Sequence, residues 1–208
     1  MTELLGVFGK IDDLNKDNTI KKFNKSLSKI KYGSPWIKND QTQILAINNF
    51  LIGIASNNKL NQEHDGILIN VFGCIYNKDE IIRLNDCQSK NYLIEIFLKY
   101  GFQYMLNQIN GDFVISLYNQ HSNQIYLARD RVGLRSLFYR KYKNIFLFSS
   151  RLSLINNFTN TNNLDEDFIL RYAGYHYRYI DNEPNSSPYE DVRQLPAASY
   201  LTLDLNDL

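Results

Sequence analysis

The side chains that could act as metal ligands or cysteine nucleophiles are few and lie apart in this sequence. Cysteine occurs twice, at Cys74 and Cys87, without metal-ligand spacing, and we expect both to be thiols in a reducing compartment. The three histidines are scattered beside Asn, Asp and Tyr: His64, His121 and His176. Because a zinc or iron site groups several such ligands, this pattern predicts no metal site.

A denser group of charged residues occupies the segment 128–139, which reads ARDRVGLRSLFY. Its charged residues and glycine are expected at a turn between two strands: Arg129, Asp130, Gly133 and Arg135. A salt-bridged Arg and Asp, together with a glycine that tolerates unusual backbone angles, can lock such a loop. We interpret these four residues as a structural loop rather than as catalytic groups.

The composition narrows the classes of partner. A chain of 208 residues with 44% hydrophobic content can bury a core, and we expect one domain over residues 1–208. The net charge of +1 predicts no nucleic-acid partner, and the one basic cluster, at 21–31, has the spacing of an amphipathic helix. No segment approaches the roughly 20 apolar residues of a membrane span, and no leader peptide is recognisable. We therefore expect no membrane partner and a cytoplasmic location.

Short apolar runs separated by polar turns predict mainly strands. The predicted strands are 4–9, 42–47, 50–55, 67–72, 113–118, 124–128, 136–142, 145–148 and 198–203. Helices are predicted after Asn77, where the side chain is a candidate cap, over 90–100 with Gly101 at the end, and over 165–173. Strands with a few helices predict an α+β domain built on antiparallel sheets.

Six blocks in order resemble the N-terminal glutaminase domain of asparagine synthetase and its relatives, the class II glutamine amidotransferases. The blocks are LGVFG at 5–9, FGCIYN at 72–77, NGDFV at 110–114, RDRVGLRSLFY at 129–139, SSR at 149–151 and VRQLPAASYLT at 192–202. The resemblance implies the Ntn-hydrolase fold, a four-layer αββα sandwich with two antiparallel sheets.

The resemblance also implies a reaction whose central group is missing here. In the family, the thiolate of an N-terminal cysteine attacks the glutamine amide, and the free α-amine of that cysteine takes the thiol proton. Leu5 stands at the aligned position, and no cysteine precedes Cys74. The oxyanion-hole asparagine aligns with Phe72, and loss of such a donor typically costs about 10²–10³ in rate.

Further substrate contacts of the family have also changed. The acidic residue that receives the substrate ammonium group aligns with Asn110, and the arginine that binds its carboxylate aligns with Tyr32. The resemblance therefore implies a vestigial pocket that does not handle glutamine, formed by Leu5, Gly6, Tyr32, Phe72, Gly73, Asn110 and Gly111.

The partners implied by the resemblance lie outside these residues. We expect an ATP-dependent ligase domain, in the same chain or in a separate one, that would use ATP and magnesium, while this domain itself needs no cofactor. Relatives that make β-lactams or lasso-peptide macrolactams take an amine from their substrate, so the cysteine becomes dispensable there. A homodimer is also considered as an assembly of this chain.

Two alternatives remain beside this interpretation. Removal of Met1 would expose Thr2, whose amine and hydroxyl could form an N-terminal nucleophile, but Thr2 lies about 10 Å along an extended strand from position 5. The other alternative is a binding module that uses the vacated pocket, lined by Phe72, Tyr32 and Trp36.

Overall fold

The computed structural model describes residues 3–9, 21–22, 25, 42–47, 50–55, 61–87, 90–174 and 183–207. The strands are β1 (Glu3–Gly9), β2 (Thr42–Ile47), β3 (Phe50–Ala55), β4 (Asn61–His64), β5 (Ile67–Ile75), β6 (Gly111–Asn119), β7 (Gln124–Arg129), β8 (Phe138–Tyr142), β9 (Ile145–Ser149), β10 (Arg193–Gln194) and β11 (Tyr200–Asp204). The helices are α1 (Lys78–Leu84), α2 (Tyr92–Tyr100), α3 (Phe102–Gln108), α4 (Leu152–Thr159) and α5 (Glu166–Gly174), and a short 3₁₀ turn covers Leu205–Asp207.

The chain forms two compact units, each of which contains one sheet. Unit one comprises residues 1–58 and 136–196 with residue 208, and unit two comprises residues 59–135 and 197–207. The strand pairs of both sheets are antiparallel. The predicted α+β class with two antiparallel sheets is therefore confirmed.

Unit one contains a six-stranded sheet in the order β10-β8-β9-β1-β3-β2. β1 lies between β9 and β3, and Ile47 pairs with Phe50, as the predicted hairpin requires. Helix α4, which the sequence did not predict, packs on β8 and β9. The resulting core contains Leu5, Val7, Ile145, Leu147, Leu154, Ile155, Phe158 and Val192.

Unit two contains a five-stranded sheet in the order β11-β7-β6-β5-β4. Helix α2 buries Leu93, Ile96 and Phe97 in the core that β5 and β6 share with helix α3. Gly101 ends α2 with a φ of 85°, as predicted, because glycine adopts positive φ without a Cβ clash. Tyr100, the last residue of α2, is exposed.

The expected helix cap at Asn77 needs correction. Asn77 does precede α1, but its side chain makes no cap and instead donates to the carbonyl of Gln108. The strands after residue 112 are divided between the two sheets, since β7 belongs to the five-stranded sheet and β8 to the six-stranded one. The segment 130–137 therefore carries the chain from one sheet to the other.

Of the basic segment 21–31, the described residues Lys21, Lys22 and Lys25 are helical and exposed, and the remainder lies outside the described residues. In the described part of the chain, no helix is long and apolar enough to span a membrane.

Candidate functional site

The loop 130–135 is organised around one buried carboxylate. Asp130 is 1% exposed, and its Oδ1 accepts the backbone N–H groups of residues 132, 133 and 134 at 3.0, 2.6 and 3.1 Å. Its Oδ2 accepts the backbone N–H of Arg135 at 3.2 Å. Four amides directed at one carboxylate hold the loop in a single conformation, because charge-assisted hydrogen bonds are stronger than neutral ones.

Arg129 holds the same loop from the end of β7. Its Nε donates to the carbonyl oxygen of Arg135 at 2.5 Å, and its Nη2 donates to that of Gly133 at 2.6 Å. Burial lowers the pKa of the Arg129 guanidinium, and the nearby charge of Asp130 raises it in part. Both contacts join the end of β7 to the loop.

Gly133 is required at its position by geometry. Its φ is +72°, and a Cβ added there would lie 2.9 Å from the Cβ of Ala197 and 3.0 Å from Nη2 of Arg129. A larger residue would therefore strain the backbone and displace the arginine that holds the loop.

The ion pair of this region joins the loop to β6 and differs from the expected one. Arg135 donates from Nε and Nη2 to Oδ2 of Asp112, at 3.1 and 2.9 Å, rather than to Asp130. Oδ1 of Asp112 accepts the hydroxyl of Tyr76 at 2.9 Å. The Arg135 guanidinium lies over the ring of Phe72, 5.5 Å from its centre. We call Phe72, Tyr76, Asp112 and Arg135 the ionic cluster.

The ionic cluster shifts the titration of two of its members. Burial raises the pKa of the Asp112 carboxyl, but hydrogen bonds from Tyr76 and Arg135 and the charge of Arg135 outweigh burial, so the net pKa is lowered. The pKa of Tyr76 is raised, chiefly by its hydrogen bond to Asp112 and then by burial. Asp112 is therefore held as a carboxylate and Tyr76 as a neutral phenol.

Two glycines of the predicted pocket lie where β5 and β6 approach each other closely. A Cβ on Gly73, which has a φ of +124°, would be 1.9 Å from the carbonyl oxygen of Asp112. A Cβ on Gly111 would be 2.1 Å from the carbonyl oxygen of Cys74. Both positions therefore accept only glycine, and this backbone requirement is independent of any substrate.

Asn110 is held through its main chain. Its N–H donates to Oδ1 of Asn77 at 2.9 Å, and its carbonyl accepts the N–H of Tyr76 at 2.8 Å. Thus Asn77, singled out in the sequence as a helix cap, serves to fix the turn between α3 and β6 beside the ionic cluster.

Leu5 and Gly6 belong to unit one. Leu5 is fully buried in a core cluster that also contains Leu154 and Phe158 of helix α4. The ring of Phe148 covers Gly6, where an added Cβ would be 2.0 Å from that ring. Leu5 is therefore a core residue of unit one, and its assignment to a vestigial pocket stays a prediction.

Three other candidate residues, Tyr32, Trp36 and Thr2, lie outside the described residues. Cys74 is exposed and Cys87 is buried, and burial followed by the nearby Glu95 carboxylate raises the pKa of the Cys87 thiol, which disfavours its reactive thiolate. Within the described residues, no three His, Cys, Asp or Glu side chains group as metal ligands.

Sequence reasoning missed Asp112 and Tyr76 as members of one cluster. Both stood within quoted blocks, but nothing in their spacing shows that Ile75 pairs with Gly111 and Cys74 with Asp112. That register brings the ends of β5 and β6 together.

Curated relatives match about half of this chain. Asparagine synthetase [glutamine-hydrolyzing] 2 of Bacillus subtilis (strain 168) is 27% identical over 99 residues, which are 43% of this chain and 13% of that protein. Amidase chry2 of Gibberella zeae is 24% identical over 108 residues, 47% of this chain and 16% of that protein. The matched region thus spans less than a fifth of either relative.

Solved structures share the fold over nearly the whole chain, and a family model identifies the domain. Glutamine phosphoribosylpyrophosphate amidotransferase from B. subtilis, complexed with ADP and GMP, superposes with a TM-score of 0.62 at 11% identity, covering 97% of this chain and 47% of that one. A structure described as the allosteric regulatory enzyme of purine biosynthesis gives 0.63 at 10% identity, with the same coverage of both chains. At such identities the likeness establishes the Ntn-hydrolase type of fold. The glutamine amidotransferase domain model matches residues 45–208, and the chain therefore belongs to the glutamine amidotransferase domain family.

Proposed function

We propose that this chain is a glutamine amidotransferase domain without cysteine-dependent glutaminase activity, working as the structural or partner-binding part of an ATP-dependent, amide-forming enzyme of the asparagine synthetase type. The family membership and the match to a glutamine-hydrolysing asparagine synthetase support the class of enzyme. ATP and magnesium would be used by the ligase part, and the amine would come from a substrate other than glutamine. A role in β-lactam or peptide macrolactam synthesis fits such chemistry.

The ionic cluster carries the proposal. The family resemblance places the oxyanion-hole amide at position 72, where this chain has the ring of Phe72 with the Arg135 guanidinium over it. A phenyl ring has no donor for a developing oxyanion, and Arg135 is engaged by Asp112. The position that should stabilise negative charge is thus occupied by a stable structural contact.

The cysteines support the same conclusion. None occurs among residues 1–73, and Cys87 is buried with a raised pKa. A thioester mechanism needs an accessible thiolate beside a base. Cys87 does not meet the first condition, because its thiol is buried and its pKa is raised.

A second candidate is hydrolysis by Thr2, which removal of Met1 would expose. The hydroxyl and amine of an N-terminal threonine remain a chemically sound nucleophile and base.

A glutaminase assay separates these two candidates. The purified chain, with its N-terminal residue established by mass spectrometry, is incubated with glutamine, and glutamate release is measured for wild type and Thr2→Ala. The main proposal expects no release above buffer in either protein. Release that disappears in Thr2→Ala would establish the threonine hydrolase, and release that persists would contradict both.

The partner part of the proposal has its own test. Antibody to this domain is used to blot and immunoprecipitate from the source cells. A band much larger than 24.4 kDa, or a co-purified ATP-dependent ligase chain, is expected. A lone band without such a partner would refute the amide-ligase assignment, while leaving the missing glutaminase activity to the first assay.

A further inference from the structure

Helix α5 differs from the other described helices because none of its residues is buried. Helices α1 to α4 each bury at least one side chain. A helix of nine residues is marginal in water by itself, and helices in proteins derive most of their stability from packing an apolar face. Helix α5 therefore gains little stability from side-chain burial within its own chain.

The exposed side of α5 is apolar. Leu170, Tyr172 and Ile169 are 68, 59 and 40% exposed, and Ala173 is exposed as well. At 3.6 residues per turn, these four positions lie within about 160° of the helix circumference. Phe168 lies beside them, and its ring stacks on that of Tyr172 with the ring centres 6.3 Å apart. We call Ile169, Leu170, Tyr172 and Ala173 the apolar face of α5.

The helix is nevertheless fixed in place at its N-terminal end. Oδ1 of Asp165 accepts the backbone N–H of Phe168 at 2.8 Å, and the N–H of Asp165 donates to the carbonyl of Pro188 at 3.0 Å. Leu164, just before the helix, forms a β-bridge with Tyr189. These contacts involve only the start of α5, so they hold the helix in unit one and leave its apolar face accessible.

The flank of the apolar face carries one acid and one base. Asp167 and Arg171 lie one turn apart on the same side of α5. Nη1 of Arg171 forms an ion pair with Glu183, and its Nε donates to the carbonyl of Asp167 at 3.1 Å. A guanidinium has five N–H donors, so Arg171 can bind a further carboxylate while it keeps Glu183.

Antiparallel packing of two α5 helices makes these charges complementary. Residues two before and two after a two-fold axis at Ile169 lie opposite each other, so Asp167 of each copy faces Arg171 of the other. Parallel packing would instead place like charges at the same level of the two helices. In the antiparallel arrangement, Ile169 and Leu170 are covered by the same residues of the second copy.

We propose that the apolar face of α5 is an interface between two copies of this chain, packed antiparallel about a two-fold axis near Ile169. The interface lies in unit one and does not depend on the proposed role in amide formation. Two nine-residue helices bury less area than a standard interface of about 1,600 Å². The association is therefore weak, with a dissociation constant of about 10⁻⁴ M.

Sedimentation equilibrium of the 208-residue chain, at concentrations from roughly 10 μM to 1 mM, measures this association. The average mass is expected to rise from 24.4 kDa toward twice that value. Leu170→Glu places a charge within the apolar face of each copy and is expected to raise the dissociation constant about tenfold. Leu84→Glu is the matched control, because Leu84 is a helical leucine that is 64% exposed, at the end of α1. It is expected to leave the dissociation constant unchanged, and circular dichroism establishes that each variant is folded.

A charge exchange tests the antiparallel arrangement. Asp167→Arg and Arg171→Glu each place like charges opposite each other in both pairs of a homodimer. Each variant alone is therefore expected to dimerise about tenfold more weakly than wild type. In an equimolar mixture, the two variants are expected to form a heterodimer with the affinity of wild type, because both pairs again join opposite charges.

Three results would overturn the proposal. The first is a mass of 24.4 kDa over the whole concentration range, which would assign the apolar face to a different partner or to another segment of the same chain. The second is equal weakening by Leu170→Glu and Leu84→Glu, which would place the contact elsewhere. The third is a mixture of the charge variants that associates no more tightly than either variant alone.

Discussion

Asp130→Ala, which removes the buried carboxylate, should destabilise the protein more than the conservative substitution Asp130→Asn. The side chain accepts four backbone N–H groups from residues 132–135. A hydrogen bond to a charged group contributes about 1.5–3 kcal/mol, and water can partly replace it in this loop, since Val132 and Leu134 are exposed. At about 1 kcal/mol for each bond, Asp130→Ala should lower the free energy of unfolding by about 4 kcal/mol.

The amide variant separates the acceptor from the charge. Asp130→Asn can keep the three contacts of Oδ1, but it places an NH₂ group opposite the N–H of Arg135. The expected loss is therefore smaller, about 2 kcal/mol. Asp86→Asn is the control, because Asp86 is exposed at a φ of 50°, which asparagine also tolerates. Its effect should be within about 0.5 kcal/mol.

Urea unfolding followed by circular dichroism measures all three variants. The expected order of destabilisation is Asp130→Ala, then Asp130→Asn, then Asp86→Asn. If Asp130→Ala were no more destabilising than the exposed control, the buried carboxylate would not hold the loop, and the structural role assigned to it would be refuted.

Two further predictions concern Gly133 and the ionic cluster. Gly133→Ala should cost more stability than Gly101→Ala: both have positive φ and share a backbone cost of about 1–2 kcal/mol, but only the Cβ at 133 meets neighbours within 4 Å. Equal losses in urea unfolding would show that contact with Ala197 is unimportant. Because the folded pKa of Asp112 is lowered, its stabilisation is present above the unfolded pKa of about 3.9 and is lost as pH falls through the folded value. Asp112→Asn should therefore destabilise the protein at neutral pH and lose that effect in acid, and a difference from wild type that does not vary with pH would contradict the ion pair.

The strands were readable from sequence because their signals are local. Alternating or continuous apolar residues bounded by Asn-rich turns place β1, β2 and β3 within a residue or so of their observed bounds. Helix α1, with seven residues, was predicted from Asn77 ahead of it, whereas α3 and α4 follow Gly101 and Arg151, which are not capping side chains. The role of Asn77 was misjudged because its partner is Gln108, 31 residues away.

The candidate site was predictable as a set of positions but not as an arrangement. The blocks around Phe72, Asn110 and Arg129 were recognised, and the structure places all three in unit two. Leu5, assigned to the pocket by the resemblance, lies in unit one and is buried in its core. Which face of a strand a residue occupies depends on its register, and a shift of one residue reverses that face.

By itself, the sequence determined the family, the α+β class, the glycine positions and the absence of cysteine before residue 74, because each depends on residue identity or local pattern. Only the tertiary structure decided that Arg135 pairs with Asp112 over Phe72, that Leu5 faces a core, and that the apolar face of α5 is exposed. The contacts of Arg135 with Asp112 and Phe72 join residues far apart in the chain. Their geometry follows from strand pairing and packing, which no local pattern encodes.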